Sequence, residues 1–144
     1  MFGTCHWWAI TPAHPWVRTI KRIQNKLKVF KHVPHITICT NSSIETEIPE
    51  FSGKFECTVK VTQTLTEAKE GTLWALEIPV SGFQRLDGES LHLALAYRWN
   101  KPFTQQEIVI VSKMCVSMQC FNCTFFEHQV WECNCAPDTW VRTI

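Results

Sequence analysis

The sequence lacks the features of a membrane or secreted protein. No apolar run in its 144 residues approaches the ~20 residues that a membrane-spanning helix requires. The N-terminus has no basic segment followed by an apolar stretch, which is the form of a secretory signal. The formal net charge of +1 excludes a grossly polybasic nucleic-acid binder, although it permits a local basic cleft. We therefore expect a cytoplasmic protein with no membrane contact and no obligate protein partner.

The sequence also offers little that would hold a metal ion. Its six histidines form no HxH or HxxxH pair, and no cluster of carboxylates accompanies them. One alternative stays open in the C-terminal cysteines, whose spacing is CxxC followed by CxC. A zinc site would favour a second CxxC, so reduced strand cysteines are the preferred interpretation. We expect no metal and no cofactor; the cysteines concerned are Cys120, Cys123, Cys133 and Cys135.

The composition is that of one globular domain. Hydrophobic residues make up 45% of the chain and charged residues 19%, whereas a disordered chain has the opposite balance. Cys39, Cys57 and Cys115 lie in apolar or alternating runs, where a reduced cysteine behaves as a small buried hydrophobe. We predict a single domain over residues 1–144, in which residues 136–144 form a loose tail.

The hydrophobic periodicity predicts an α+β domain of mainly antiparallel sheet with few helices. After Pro15, apolar residues recur at spacings of four and three, which predicts an amphipathic helix with a basic outer face. Thr104 and Glu107 have the spacing of a capping box at the start of a second helix. The predicted strands cover residues 7–10, 35–40, 55–65, 72–80 and 91–99, with two or three more in 114–135, and the second helix covers 105–113.

Two of these strands carry a histidine in similar surroundings. The first contains Val33-Pro34-His35-Ile36-Thr37-Ile38, and the second contains Leu91-His92-Leu93-Ala94-Leu95. Residues two apart in a strand point to the same side, so His35 shares a face with Thr37, and His92 shares one with Ala94. Aliphatic residues anchor the opposite face of each strand. Two histidines presented in this way suit general acid–base catalysis.

The doubled pattern of His, apolar, Thr or Ser, apolar resembles the 2H phosphoesterases, and in particular their LigT-like and cyclic phosphodiesterase branch. An early Trp-Ala-Ile strand, the amphipathic helix, Pro-His-Ile-Thr-Ile, His-Leu-Ala-Leu-Ala-Tyr and a terminal strand at Val130–Cys133 extend the resemblance. It implies a bilobal domain of antiparallel sheets with the active-site cleft between the lobes. One departure is plain, because Ala94 stands where the family carries Thr or Ser.

The resemblance implies a metal-independent phosphodiesterase that hydrolyses a nucleotide 2′,3′-cyclic phosphate or a related 2′-linked phosphodiester. His35 and His92 would act as general base and general acid, in an order that the sequence leaves open, and Thr37 would donate to a non-bridging phosphate oxygen. Two alternatives remain. One is a viral-type nuclease that degrades cyclic di- or oligonucleotide or 2′,5′-oligoadenylate messengers. The other, prompted by Ala94, is a catalytically weak nucleotide-binding module.

The partner expected in either case is a nucleotide or short oligonucleotide, whose base would stack on an aromatic side chain. Trp7 or Trp8 is the candidate platform, because adjacent strand residues face opposite ways. Ala94 and Tyr97 complete the candidate substrate-binding set, although strand alternation puts Tyr97 with the buried leucines. The same alternation puts Arg98 on the face of His92. We expect His6, His14 and His32, which lie at element boundaries, to be exposed.

Overall fold

In the computed structural model, the described part of the chain comprises residues 2–12, 14–48, 54–57, 60–68, 70–116, 120–122 and 126–144. Two α-helices, one short 3-10 helix and nine β-strands form within it. In chain order these are β1 (Gly3–Ile10), α1 (Pro15–Leu27), β2 (His35–Ser42), β3 (Lys54–Cys57), β4 (Thr62–Ala68), β5 (Gly71–Ser81), β6 (His92–Trp99), α2 (Gln105–Met114), β7 (Cys120–Asn122), β8 (Phe126–Cys133), the 3-10 helix (Pro137–Thr139) and β9 (Val141–Arg142).

The strands pair in the order β7-β3-β5-β6-β2-β1-β8-β9, and β4 pairs with β5 outside this path. Each described pair is antiparallel. The predicted α+β class with mostly antiparallel sheet is therefore confirmed. The order also brings the two histidine-bearing strands, β2 and β6, side by side near the middle of the sheet.

Both helices have the boundaries that their end residues favour. Pro15 opens α1, where a missing N–H is harmless, and the His14 side chain accepts a hydrogen bond from the Trp16 N–H. The predicted capping box of α2 is present, since Thr104 and Glu107 exchange hydrogen bonds with each other's backbone. Neither helix is long and apolar enough to cross a membrane, a finding that covers the described residues.

The larger hydrophobic core lies between the helices and one face of the sheet. Ile20 and Ile23 of α1 are fully buried against it, whereas the basic residues of that helix face outward, as predicted. From the sheet, this core takes the aliphatic residues that alternate with the candidate site residues. They include Ile36, Ile38, Leu76, Ile78, Leu93 and Leu95.

The opposite face of the sheet carries a smaller core. Cys5, Trp7, Leu73, Cys133 and Trp140 are its buried members. Because the sheet has a helix-covered face and a second, aromatic face, side chains that alternate along a strand enter different environments. The candidate site residues lie on this second face.

A β-bulge in β6 corrects the predicted orientation of two residues. Ala94 pairs with Glu77, but Ala96 pairs with Leu76, so β6 has one extra residue at this point. A bulge reverses the alternation beyond it. Tyr97 therefore shares the face of His92, contrary to the prediction. Arg98 turns to the helix side, where its guanidinium forms an ion pair with Glu107.

Two other predictions about the fold were wrong. The single strand expected at 55–65 is divided into β3 and β4, which pair with different parts of β5. The expected loose tail is ordered, because β9 pairs with the outer edge of β8. Its Trp140 ring is buried, and the indole N–H donates to the Cys135 carbonyl at 2.8 Å.

The packing of this tail can be tested by substitution. Trp140→Ala should lower the free energy of unfolding by about 3–5 kcal/mol, the usual loss for a large buried aromatic side chain. Val141→Ala, at an exposed neighbouring position, is the control and should change it by no more than about 0.5 kcal/mol. Urea denaturation measures both. Equal stability of the two variants would mean that the tail does not contribute to the fold.

Candidate active site

The two histidine motifs meet in one antiparallel register. Ile36 pairs with Leu93, and both side chains are fully buried on the helix side. Continued one residue each way, this register sets His35 opposite Ala94 and Thr37 opposite His92. The motifs are thus related by a local two-fold arrangement about the Ile36–Leu93 pair. Diagonal neighbours in such a ladder have Cα atoms about 7–8 Å apart, which suits two imidazoles that share one phosphate.

A cavity of about 460 Å³ opens on this face of the sheet. Its volume lies within the range of small-molecule binding sites, roughly 300–1,000 Å³. His35, Thr37 and His92 all contribute to its wall, so the structure brings the three predicted catalytic residues together. Its other lining residues are Phe2, Cys5, Trp7, Thr40, Asn41, Thr64, Thr66, Leu73, Ala75, Glu77, Arg85, Glu89, Ser90, Tyr97, Cys133 and Trp140.

His35 is held in one orientation and one tautomer. Its side chain is almost completely buried, and Nδ1 lies 2.6 Å from the Val33 carbonyl oxygen. Because a carbonyl only accepts, Nδ1 carries the proton and Nε2 presents a lone pair. Burial holds the pKa of His35 well below its ordinary value, with a further contribution from His32, and the Val33 hydrogen bond opposes the shift only in part. His35 is therefore a neutral acceptor at physiological pH.

His92 has different surroundings. It is partly exposed at the start of β6, where it pairs with Pro79 at the end of the ladder with β5. Proline has no N–H to donate, so the ladder is weak at this point. The site thus combines one enclosed, neutral imidazole with one that solvent reaches.

Trp7 lines the cavity, but it offers no ring face for stacking. Its indole is parallel to the His35 ring at a centroid distance of 3.5 Å and to the Trp131 ring at 4.7 Å. β2 and β8 flank β1 on opposite sides, so these contacts cover opposite faces of the indole. Trp8 lies in the helix-side core. The predicted alternation of Trp7 and Trp8 is confirmed. Trp7 supports His35, however, so the prediction that it serves as a stacking platform is corrected.

Tyr97 reaches the cavity because of the bulge in β6. Its hydroxyl lies 3.5 Å from Nε2 of His35, and its ring contacts His32 and Trp140 edge-on. Burial raises the pKa of Tyr97 well above its ordinary value, and the nearby Glu77 carboxylate adds to the effect. The phenol therefore stays protonated and can donate to Nε2 of His35. Ala94 is buried on the same face but is absent from the cavity wall.

Sequence reasoning missed Arg85, Glu77 and Glu89, which also line the cavity. Glu77 pairs with Ala94 across the sheet and so shares the face of the motifs. Its position on that face could have been found by aligning β5 with β6. Arg85 and Glu89 lie in the loop between these strands, where no periodicity indicates which side chains turn inward.

The predicted exposure of His6, His14 and His32 was wrong, because all three are buried. Burial lowers the pKa of His32 to about 4, while the Ala94 backbone opposes the shift. His6 donates from Nε2 to the Ser43 carbonyl at 2.7 Å and lies 2.8 Å from the exposed His128 through its other nitrogen. His6 lies within β1, His14 is the N-cap of α1, and His32 lies in the segment between α1 and β2.

Cys39 and Cys115 are buried free thiols, as predicted. Cys57 is half-buried. Cys133 lies against the Cys5 thiol. The hydrogen bond with Cys5 and burial together raise the pKa of the Cys133 thiol. The described residues contain no group of three or more potential ligands placed to hold a metal ion. Cys123 and the side chain of Cys120 lie outside them, so the zinc alternative stays untested there.

No protein-family model matches the chain, and no curated protein matches it in sequence.

The buried histidines predict that acid destabilises the fold. His32, with a pKa near 4 when folded and about 6.5 when unfolded, binds fewer protons in the native state across that window. Stability should therefore be full above about pH 6.5 and fall toward pH 4, with a slope approaching 1.4 kcal/mol per pH unit from His32 alone. Urea denaturation at stepped pH measures the slope. His32→Gln should lower this slope by nearly the amount that one titrating proton contributes. An unchanged slope would contradict the burial of a neutral His32.

Proposed function

We propose that this protein is a metal-independent phosphodiesterase that hydrolyses a nucleotide 2′,3′-cyclic phosphate or a related 2′-linked phosphodiester. The observation that carries the proposal is the convergence of His35, Thr37 and His92 on one cavity, through the Ile36–Leu93 register. Two imidazoles and a hydroxyl around one phosphate supply a base, an acid and a donor to a non-bridging oxygen. The strands that carry them are neighbours, so the cleft of a bilobal 2H phosphoesterase would lie along their shared face.

The environments of the histidines support an assignment of roles. His35 is neutral, and its Nε2 lone pair is the group that a general base needs. We infer that His35 takes the proton of the attacking water, which would replace the Tyr97 hydroxyl at the single lone pair of Nε2. His92, partly exposed at the strand end, would then protonate the departing ribose oxygen. The new P–O bond forms as the ring P–O bond breaks, which leaves a phosphate monoester.

The size of the cavity favours a small substrate. A volume of about 460 Å³ suits one nucleotide unit rather than a cyclic oligonucleotide enclosed whole. Degradation of a cyclic or 2′,5′-linked messenger therefore requires that only the scissile phosphate and one nucleoside enter. With both faces of Trp7 covered, the exposed aromatic surface of the wall would come from the remaining lining residues, Phe2, Tyr97 and Trp140.

A nucleotide-binding module without rapid turnover is the second candidate. Two observations favour it: Ala94 lacks the hydroxyl of a second motif, and His35 is only 1% exposed. A base that solvent barely reaches can bind a nucleotide hydroxyl as readily as it activates water. Both candidates use the same cavity, and turnover separates them.

The direct test is incubation of the purified protein with nucleoside 2′,3′-cyclic phosphates, 2′,5′-oligoadenylate and a cyclic dinucleotide in excess chelator, read by chromatography. The proposal expects a phosphate monoester product with chelator present. Tight binding without product would support the binding module. Activity that disappears with chelator and returns with zinc or manganese would refute the two-histidine mechanism.

Substitution of the histidines tests whether they act together. His35→Ala and His92→Ala should each lower kcat/KM by roughly 100–10,000-fold, the range for general acid–base groups. The double variant should be little worse than either single one, because residues that act as a unit are not additive. His128→Ala, at an exposed histidine away from the cavity, is the control and should keep activity. A folded variant that is active without His35 or without His92 would contradict the paired mechanism.

Thr37 should act on the transition state. Its side chain lines the cavity opposite His92, and loss of one preorganised donor lowers kcat by roughly 10–1,000-fold. Thr37→Ala should therefore reduce kcat far more than it raises KM, as steady-state kinetics would measure. Thr139→Ala removes an exposed hydroxyl outside the cavity and serves as the matched control. An effect on KM alone would indicate that Thr37 contributes only to ground-state binding.

A further inference from the structure

The loop between β5 and β6, residues 82–91, contributes a cation to the cavity wall. Arg85 lies in the lining, and its side chain is 12% exposed. The described lining contains no other arginine and no lysine. The charge of Arg85 lowers the pKa of Tyr97, although burial and the Glu77 carboxylate raise that pKa by more. Arg85 and Tyr97 thus line the same cavity.

Arg85 is fixed by its neighbour Asp87. Nε of Arg85 donates to Oδ1 of Asp87 at 2.9 Å, and Nη2 donates to Oδ2 in a bidentate pair. Partial burial raises the pKa of Asp87, but the hydrogen bonds from Arg85 and from the Glu89 and Thr40 N–H groups, together with the Arg85 charge, hold that pKa below its ordinary value. The carboxylate is therefore ionised throughout the physiological range, and the pair is permanent there.

Asp87 in turn is fastened to the strand that carries the first motif. Its Oδ2 accepts from the Thr40 N–H of β2 at 3.4 Å, and Oδ1 accepts from the Glu89 N–H at 3.1 Å. The backbone adds a third connection, because the Leu86 N–H donates to the Ile38 carbonyl at 3.3 Å. The loop thus holds Arg85 in a position that is set by β2 itself.

The Asp87 pair leaves one arm of the guanidinium uncommitted. Nε and Nη2 are used, while Nη1 has no acceptor among the residues that the structure describes. Its two N–H groups are therefore available to a ligand in the cavity. Because Asp87 neutralises most of the charge, the arm acts as a directed hydrogen-bond donor. Guanidinium N–H groups match phosphate oxygens well, and the fork is preorganised.

We propose that Nη1 of Arg85 binds a non-bridging oxygen of the substrate phosphate, with Asp87 as the positioning residue. The inference rests on the proposed function and adds a phosphate-binding residue to the two motifs. It also supplies a hydrogen-bond donor that the second motif lacks, because Ala94 offers no hydroxyl. Thr37 would donate to the phosphate from β2, and Arg85 would supply the second donor from the loop.

Binding of adenosine 2′-monophosphate, a product of the proposed reaction, measures the contact without turnover. Calorimetric titration should give a dissociation constant roughly 10–100-fold larger for Arg85→Met than for the wild type, as expected for the loss of one hydrogen bond to a charged group. Arg85→Lys keeps a charge beside Asp87 but has no second arm, so it should lose most of the same affinity. Arg18→Met, at an exposed position of α1, removes a charge elsewhere and should bind as the wild type does.

The role of Asp87 has its own measurement. Asp87→Asn should weaken binding, whereas Asp87→Asn combined with Arg85→Met should be no weaker than Arg85→Met alone, because Asp87 acts through the arginine. Additive losses would overturn its positioning role. Thermal melts accompany each variant, and Arg85→Lys decides the case if Arg85→Met unfolds.

The possible outcomes distinguish this proposal from the proposed function. If the wild type hydrolyses cyclic phosphates but Arg85→Lys and Arg85→Met bind product normally, the Arg85 proposal is overturned and the phosphodiesterase stands. If the product binds in an Arg85-dependent way but no substrate is hydrolysed, the Arg85 proposal is supported and the proposed catalytic function is refuted. If the wild type neither binds the product nor hydrolyses any substrate, both proposals are overturned.

Discussion

The antiparallel pairing of β2 with β6 at Ile36 and Leu93 is the contact on which the rest of the site depends. Both side chains are fully buried beneath the helices, so the register carries a hydrophobic penalty for any slip. A shift of one residue would turn the aliphatic set toward the cavity and bury the polar set beneath the helices. The same packing that stabilises the core therefore keeps His35 and His92 on one face.

The two motifs are related by a local two-fold arrangement, but their histidines, His35 and His92, have different surroundings. His35 is enclosed by Trp7 and tied to the Val33 carbonyl, whereas His92 stands at the partly exposed end of its strand. Burial makes the first imidazole a poor proton carrier and a good acceptor. In the proposed mechanism the two histidines have different tasks, and the different surroundings of their imidazoles match this division.

The enclosure of His35 also has a cost for the fold. Trp7, His32 and Tyr97 surround it with rings, and His32 itself is buried and neutral. These imidazoles are stable there only while uncharged, so the burial that keeps His35 neutral also limits the acid range of the protein. The C-terminal segment, through Trp140, closes this cluster from outside.

Much of this arrangement could be predicted from the sequence, because period-two alternation and helix caps are local signals. They located β2, β6, both helices and the shared face of His35 and Thr37. The bulge beside Leu95 has no local signal, and it reversed the predicted sides of Tyr97 and Arg98. Burial of His32 and the inward turn of Arg85 depend on elements far along the chain, which spacing alone does not reveal.

The most direct test of the central claim is a crystal structure with a bound nucleoside 2′-monophosphate. We expect one phosphate in the cavity, with separate oxygens within hydrogen-bond reach of Nε2 of His35 and of the His92 imidazole. A phosphate that contacts His92 but lies beyond the reach of His35, or one bound outside the cavity, would contradict it.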